Sequence, residues 1–367
     1  MKVLFVFGTR PEAIKMAPVI KEMISRPQQF EVSICVTAQH REMLDDVLSL
    51  FKIEPDYDLN LMQPNQSLSA LTGRIFTELA PVVEKEKPDW LLVQGDTTTV
   101  MAASIVAYYY QIRVGHVEAG LRTDDKYQPF PEEINRRIVS VVGDLHFAPT
   151  EKARQNLLHD GIDPKSIVIT GNTVIDALLQ VSAFEYDLSQ GPLSKINFKK
   201  RVVLVTAHRR ENFGKPIREI CRSILTLHQK YPDIEFAYPV HLNPNIQKPV
   251  YELLGNTNGI SLLSPLDYFS LVHLMKQCTL VMTDSGGIQE EAPSLGKPVL
   301  VLRNVTERPE GVEAGTAKLM GTDHDRIVHE ISTLMDDEFA YNEMANAVNP
   351  YGDGQAAEYI CDAMENK

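Results

Sequence analysis

The chain reads as an α/β protein built from two doubly wound, Rossmann-like domains. Short apolar, β-branched runs alternate with helix-period segments from end to end, the pattern of βαβ units and parallel sheets. At 367 residues the chain exceeds what one compact core usually holds, which favours two domains of similar size. A polar stretch over 184–200, carrying Gly191 and Pro192, separates two such series and reads as a linker. The expected boundaries are 1–184 for the first domain, 185–200 for the linker and 201–353 for the second domain.

In the first series, strands are expected near 2–7, 32–37, 90–94, 113–118, 145–148 and 167–170. Helical periodicity lies between them, for example over 11–25, 66–86 and 98–110. The second series offers strands at 201–206, 235–240, 260–263, 279–283 and 298–302. Residues 323–366 read as helices, broken by the turn-forming run Asn349-Pro350-Tyr351-Gly352-Asp353-Gly354. No short internal repeat is visible.

Composition narrows the function classes. Hydrophobic residues make up 44% and charged residues 23%, ordinary for a globular enzyme and against large-scale disorder. No apolar run approaches a bilayer span. The N-terminal run Val3-Leu4-Phe5-Val6-Phe7 is too short for a signal-peptide core and lacks a small-residue cleavage site; it reads as a buried strand, with the cytoplasm as the expected location. The four cysteines, Cys35, Cys221, Cys278 and Cys361, form no CxxC pair and read as reduced packing residues. A net charge of -13 argues against general nucleic-acid binding and against an anionic membrane surface. A few basic residues can still form a local pocket for a small anion.

In doubly wound sheets, ligands bind beyond the carboxyl ends of the strands, so the polar residues found there carry the functional signal. Gly8-Thr9-Arg10-Pro11 follows the first strand, and Pro11 suits a first helical position. This turn would aim free backbone N–H groups and Arg10 at an anion, with Lys15 one turn further on; two surface cations beside a turn are the simpler account. Asp96, after Trp90-Leu91-Leu92-Val93, either caps the next helix or serves a site. Glu118 ends an apolar strand among small residues with no helix start behind it, which favours a functional carboxylate. Glu132 and Glu133 open a helix, where the dipole alone can account for acidic residues.

In the second half, His208-Arg209 leaves a buried strand in a manner suited to phosphate contact or proton transfer, and His241 ends another strand similarly. The strongest single signal is Thr283-Asp284-Ser285-Gly286-Gly287 leading into a helix. Paired glycines let backbone approach a ligand, and the helix start offers N–H groups to a diphosphate. Glu290 or Glu291, one turn in, can accept from ribose hydroxyls, and Arg303 and Arg308 follow the next strand. There is no GxGxxG after a strand, no GxxxxGK[ST], no HExxH and no GxSxG.

Taken in order, these segments resemble the non-hydrolysing UDP-N-acetylglucosamine 2-epimerases. The resemblance runs from Gly8 to Gly354 through Gly8-Thr9-Arg10-Pro11-Glu12, Gly95-Asp96-Thr97-Thr98-Thr99, Gly115-His116-Val117-Glu118-Ala119-Gly120, Phe130-Pro131-Glu132-Glu133, Thr206-Ala207-His208-Arg209-Arg210-Glu211-Asn212, Asp284-Ser285-Gly286-Gly287 and Glu307-Arg308-Pro309-Glu310. It implies a glycosyltransferase-B-like fold with the active site in the interdomain cleft, a final helix, 354–367, packing back on the first domain, and a homodimer. It implies reversible C2 epimerisation of UDP-N-acetylglucosamine to UDP-N-acetylmannosamine, by elimination of UDP to 2-acetamidoglucal and re-addition, for cell-surface polysaccharide synthesis. No cofactor and no metal are implied.

By the same resemblance, Asp96, Glu118 and Glu132 handle the C2 proton. Arg10, Lys15, His208, Ser285, Gly286 and Gly287 face the departing diphosphate, Glu291 faces the ribose, and Arg308 lines the substrate pocket. Many bacterial relatives bind a second UDP-N-acetylglucosamine as an activator, and Gln39, Arg209 and His241 match that site. Glu42 departs from the glutamine that regulated members often carry, and a carboxylate there would be less welcoming to a diphosphate. The alternatives are a hydrolysing relative, an epimerase of a modified UDP-sugar, or a glycosyltransferase of the same fold.

Overall fold

The structure is a computed structural model that describes residues 1–37, 41–61, 63 and 66–367. The chain divides into two compact units, Met1–Ala177 with Tyr351–Lys367, and Leu178–Pro350.

The first unit begins with β1 (Lys2–Phe7), α1 (Arg10–Ser25), β2 (Glu31–Val36), α2 (Arg41–Phe51) and β3 (Tyr57–Asp58). It continues through α3 (Leu68–Glu86), β4 (Trp90–Gln94), α4 (Thr98–Tyr109), β5 (Arg113–Val117), α5 (Glu132–Val142) and β6 (Leu145–Ala148). Then come α6 (Glu151–His159), β7 (Ile167–Ile169) and α7 (Thr173–Ser182), in which the chain passes to the second unit. The strands form one parallel sheet in the order β3-β2-β1-β4-β5-β6-β7. Every residue of β4 is buried, as expected of a central strand covered on both faces. Helix α4 is buried through Val100, Ala102, Ala103, Val106 and Ala107, whose small side chains let it lie close on the sheet.

The second unit contains β8 (Arg201–Thr206), α8 (Lys215–Lys230), β9 (Ile234–Pro239), α9 (Pro244–Leu254) and β10 (Ile260–Leu263). These are followed by α10 (Tyr268–Gln277), β11 (Leu280–Thr283), α11 (Gly286–Ser294), β12 (Val299–Val301), α12 (Pro309–Glu313), β13 (Ala317–Leu319), α13 (His324–Asp336) and α14 (Glu338–Ala345). Its parallel sheet has the order β10-β9-β8-β11-β12-β13. Helix α8 buries Ile217, Ile220, Cys221, Ile224 and Leu227, one face at helical spacing, against that sheet.

The closing helix α15 (Ala356–Glu365) belongs to the first unit, where it packs on α1. Arg26, which caps the end of α1, reaches Asp362 at 2.5 Å and Glu365 at 3.0 Å. Residues 178–200, read from sequence as a domain end and linker, fall within the second unit. The polarity of the stretch hides its anchors: Leu193 and Ile196 are buried, and Tyr186 stacks on His273 of α10. Strands β3 and β13 carry no apolar run; each is a short edge strand placed by pairing with its neighbour. All four cysteines are buried and unbridged. Among the described residues, no helix is long and apolar enough to cross a membrane.

Candidate active site

Both sheets reverse strand order at one place, between β1 and β4 in the first unit and between β8 and β11 in the second. The carboxyl ends of those four strands are where a doubly wound sheet presents ligand-binding groups. Gly8 to Arg10, Asp96, His208 with Arg209, and Asp284 to Gly287 all follow those strands directly.

In the first unit Glu118 is the centre. It follows β5 with φ 62, a left-handed conformation that a non-glycine residue holds only where surrounding contacts over-determine it. Its carboxylate pairs with Lys15 of α1 and accepts from the Gln94 amide at the end of β4. Asn172 donates to the same carboxylate at 3.0 Å. Gly95, at φ 80, closes the adjacent turn, and a Cβ there would lie 3.6 Å from the Glu118 carboxylate. Below it, His116 is fully buried; burial pushes its imidazole down to about 3, so it is neutral and Nε2 donates to the Gly95 carbonyl at 2.7 Å.

Asp96 does not cap α4. Thr97 does, accepting from the Val100 N–H at 3.3 Å. Asp96 pairs instead with Arg136 of α5 at 2.6 Å, and Asn135 donates to its carbonyl at 2.8 Å. The two glutamates opening α5 part company. Glu133 is fully buried and holds Thr123, Arg136 and Arg137, a structural hub. Glu132 is half-buried, and its Oε2 lies out of water without a hydrogen-bond partner among the described residues.

The turn after β1 corrects one expectation. Its backbone N–H groups are not free: Glu12 accepts from Gly8 at 3.1 Å and Thr9 at 2.7 Å, completing a capping box. A glutamate three residues after a threonine is the signal for this, and it removes the turn as a backbone anion cradle. Arg10 stays half-buried and makes no ion pair among the described residues.

In the second unit Asp284 organises the site. It is fully buried, and its Oδ2 accepts from His208 N at 2.7 Å, Arg209 N at 2.8 Å and Asn212 Nδ2 at 2.8 Å. It thereby ties the loop after β8 to the end of β11. His208 Nδ1 lies 3.2 Å from Asp284 Oδ1. Burial pushes the His208 imidazole below its ordinary value, opposed by the Asp284 carboxylate. The His241 ring stacks on His208 at 5.7 Å, and its Nδ1 accepts from Asn243 N at 3.0 Å. Gln39 and the side chain of Glu42 lie outside the described residues.

Ser285 makes no side-chain cap on α11, and its own N–H donates to Thr283 Oγ1 at 2.9 Å, so the Ser285 side chain does not close the helix start to an outside acceptor. Gly286 and Gly287 have negative φ, and a Cβ at either would meet nothing nearer than 3.9 Å. The chain's own packing therefore does not require glycine here. The Arg209 and Arg308 guanidinium groups flank Gly286.

Glu290 is paired with Arg308, which leaves Glu291 as the better ribose candidate of the two. Tyr268 donates to Glu291 at 3.0 Å. Arg303, expected as a further site cation, pairs with Glu211 at 2.5 Å and lies 3.6 Å from Glu307. Two carboxylates answer its charge, which makes it a brace.

Sequence reasoning missed Gln94, Arg136, Asn172, Tyr268 and the hub role of Asp284. Gln94 and Asn172 were open to the strand-end rule, being polar residues at or just after strand ends. Among the described residues, no group of three or more His, Cys, Asp or Glu can hold a metal ion.

The UDP-N-acetylglucosamine 2-epimerase family matches residues 22–365. The UDP-N-acetylglucosamine 2-epimerase of Escherichia coli (strain K12) is 54% identical over 372 residues, covering 100% of this chain and 99% of its own. The crystal structure of UDP-GlcNAc 2-epimerase from Neisseria meningitidis bound to UDP-GlcNAc is 51% identical, with a TM-score of 0.88 and full coverage of both chains. That of the Methanocaldococcus jannaschii UDP-GlcNAc 2-epimerase in complex with UDP-GlcNAc and UDP is 33% identical, with a TM-score of 0.80, again over both full chains. The glycines, carboxylates and cations at the strand ends therefore sit in a protein that belongs to the UDP-N-acetylglucosamine 2-epimerase family.

Proposed function

We propose that this protein interconverts UDP-N-acetylglucosamine and UDP-N-acetylmannosamine without hydrolysis, by eliminating UDP and adding it back. The observation that carries the reading is Glu118, a buried carboxylate in a left-handed backbone, held by a lysine and two amides at the carboxyl end of a central strand. Such a group is built to move a proton.

The C2 proton passes to a carboxylate while the C1–O bond to UDP breaks. The C2–H electron pair becomes the C1=C2 double bond of 2-acetamidoglucal, and UDP leaves with the C1–O pair. In the return step a UDP oxygen attacks C1, and a proton is delivered to the opposite face of C2. Asp96, Glu118 and Glu132 of the first unit divide this proton work between the two faces.

The second unit supplies the hold on the leaving group. The open start of α11 at Ser285, Gly286 and Gly287, with His208, faces the diphosphate, Glu291 faces the ribose, and Arg308 lines the substrate pocket. Arg10 and Lys15 add positive charge from the first unit. The double-bond intermediate must be kept from escaping while both fragments are bound.

The same proposal includes a homodimer, for which the exposed Tyr108, Tyr109 and Tyr110 at the end of α4 offer apolar surface. It includes a second UDP-N-acetylglucosamine as activator, near Arg209 and His241. It places the reaction in the cytoplasm, upstream of cell-surface polysaccharide synthesis.

Incubation with UDP-N-acetylglucosamine alone in D₂O, followed by proton NMR, tests the reading. UDP-N-acetylmannosamine with deuterium at C2 is the expected product. Accumulating free N-acetylmannosamine and UDP would replace the reading with a hydrolysing enzyme. An unchanged substrate would overturn both.

A further inference from the structure

Asn172 was not among the residues that strand-end reasoning brought forward, yet every polar group it has is committed. It follows β7 after Gly171 and is 2% exposed. Its side-chain Oδ1 accepts from Val174 N at 3.1 Å at the start of α7. That contact settles the amide orientation, because only the oxygen can accept, and Nδ2 is thereby turned to Glu118 at 3.0 Å. Its backbone N–H donates to the Tyr351 carbonyl at 2.7 Å, at the residue where the chain re-enters the first unit.

The backbones of Gly171 and Gly352 press together beside it. A Cβ on Gly352 would sit 3.3 Å from Gly171 Cα and 3.4 Å from Asn172 N, and both glycines have positive φ. The Tyr351–Gly352 segment is thus a wall against which Asn172 is set.

We propose that Asn172 is a positioning residue for the epimerisation, fixing the plane of the Glu118 carboxylate, with the Tyr351–Gly352 segment as its backstop. The inference rests on the reading of Glu118 as a proton-transfer group. Lys15 is a point charge on a flexible stem and sets no plane; Gln94 and Asn172, on opposite oxygens, do. Contacts to Glu118 come from Lys15 of α1, Gln94 of β4 and Asn172 among others, with the neutral His116 two residues back on β5.

A purely structural role as the cap of α7 is the competing account, and it separates cleanly. Serine and aspartate cap helices as well as asparagine does, and neither can donate an amide hydrogen bond to Glu118. Asn172→Ser is expected to keep the thermal midpoint and the UDP affinity while kcat and C2 deuterium wash-in fall together by about 10- to 100-fold. Asn172→Asp places a second carboxylate against Glu118. It is expected to move the acid limb of the pH–rate profile to higher pH, since like charges disfavour ionisation. Gly352→Ala is expected to give a smaller loss of kcat with unchanged KM.

Wild-type kcat and an unmoved profile in both Asn172 variants would overturn the proposal. A ¹³C carboxyl titration of Glu118 keeps this test apart from the functional reading. An upward shift in Asn172→Ser, which loses the amide hydrogen bond that favours the ionised carboxylate, supports the positioning role even if the wild type proves inactive on UDP-N-acetylglucosamine, and no shift overturns it.

Discussion

Helices α4 and α11 hold the same place in their two units, each following the strand across the reversal of strand order. Their N-termini are finished in opposite ways. Thr97 caps α4, and the residue before it, Asp96, presents a carboxylate held by Arg136. Ser285 leaves α11 uncapped, and two glycines that the fold does not require follow it. The first turn of α1 repeats the closed pattern, with Glu12 taking the N–H groups of Gly8 and Thr9. One topology thus yields two surfaces. Where side chains satisfy the helix start, the turn has only side chains to offer, the Asp96 carboxylate at α4 and Arg10 at α1; where Ser285 provides no cap, the backbone at the start of α11 is suited to a diphosphate.

The largest test of that division is Glu118→Gln. Replacing the carboxylate by its neutral isostere should reduce C2 proton exchange by about 10²- to 10⁴-fold, the usual worth of a positioned acid–base group. UDP affinity, measured by calorimetry on the same sample, should hold. Loss of both together would break the division.

Two glycine substitutions come next, and they should differ in kind. Gly120→Ala puts a Cβ 2.2 Å from the Ala153 carbonyl at φ 90, and should cost about 2–4 kcal/mol of stability in urea unfolding. Gly287→Ala meets nothing within 3.9 Å and should leave the unfolding midpoint alone. Its UDP affinity should fall on the order of tenfold, the loss of one hydrogen bond to a charged group. A destabilised Gly287→Ala with intact UDP binding would reverse the assignment.

The smallest effect is electrostatic. Burial disfavours the charged imidazolium of His208 and lowers its titration, while the Asp284 carboxylate works against that shift. His208 should therefore titrate below the ordinary 6.5. Asp284→Asn should lower it further, as followed by the imidazole C–H resonances. An upward shift would remove Asp284 from its electrostatic role and leave only its backbone contacts.

Much of this was legible in the sequence because doubly wound sheets write their strands as apolar runs and their sites as the residues just after them. Trp90-Leu91-Leu92-Val93 and Val202-Val203-Leu204-Val205 announce central strands, and Glu118 and Gly286-Gly287 stand out because nothing local explains them. Strands β3 and β13 were illegible, since two or three residues at a sheet edge are ordered by a neighbour rather than by their own pattern. Partnerships were illegible for a related reason. Whether Arg303 faces a ligand or a glutamate depends on Glu211, far away in the chain, and whether Glu132 or Glu133 is the buried hub depends on which side of α5 faces inward. Asn172 was readable by position but not by role, because its partners Glu118 and Tyr351 are 54 and 179 residues away.

The central claim is that UDP is released from C1 and held while the proton changes face. It is tested most directly with UDP-N-acetylglucosamine carrying ¹⁸O in the bridge between C1 and the β-phosphorus. Elimination with UDP retained predicts that the label scrambles into the non-bridging β-phosphate oxygens as the two sugars equilibrate. Exchange of the C2 proton with the label fixed in the bridge would contradict the account.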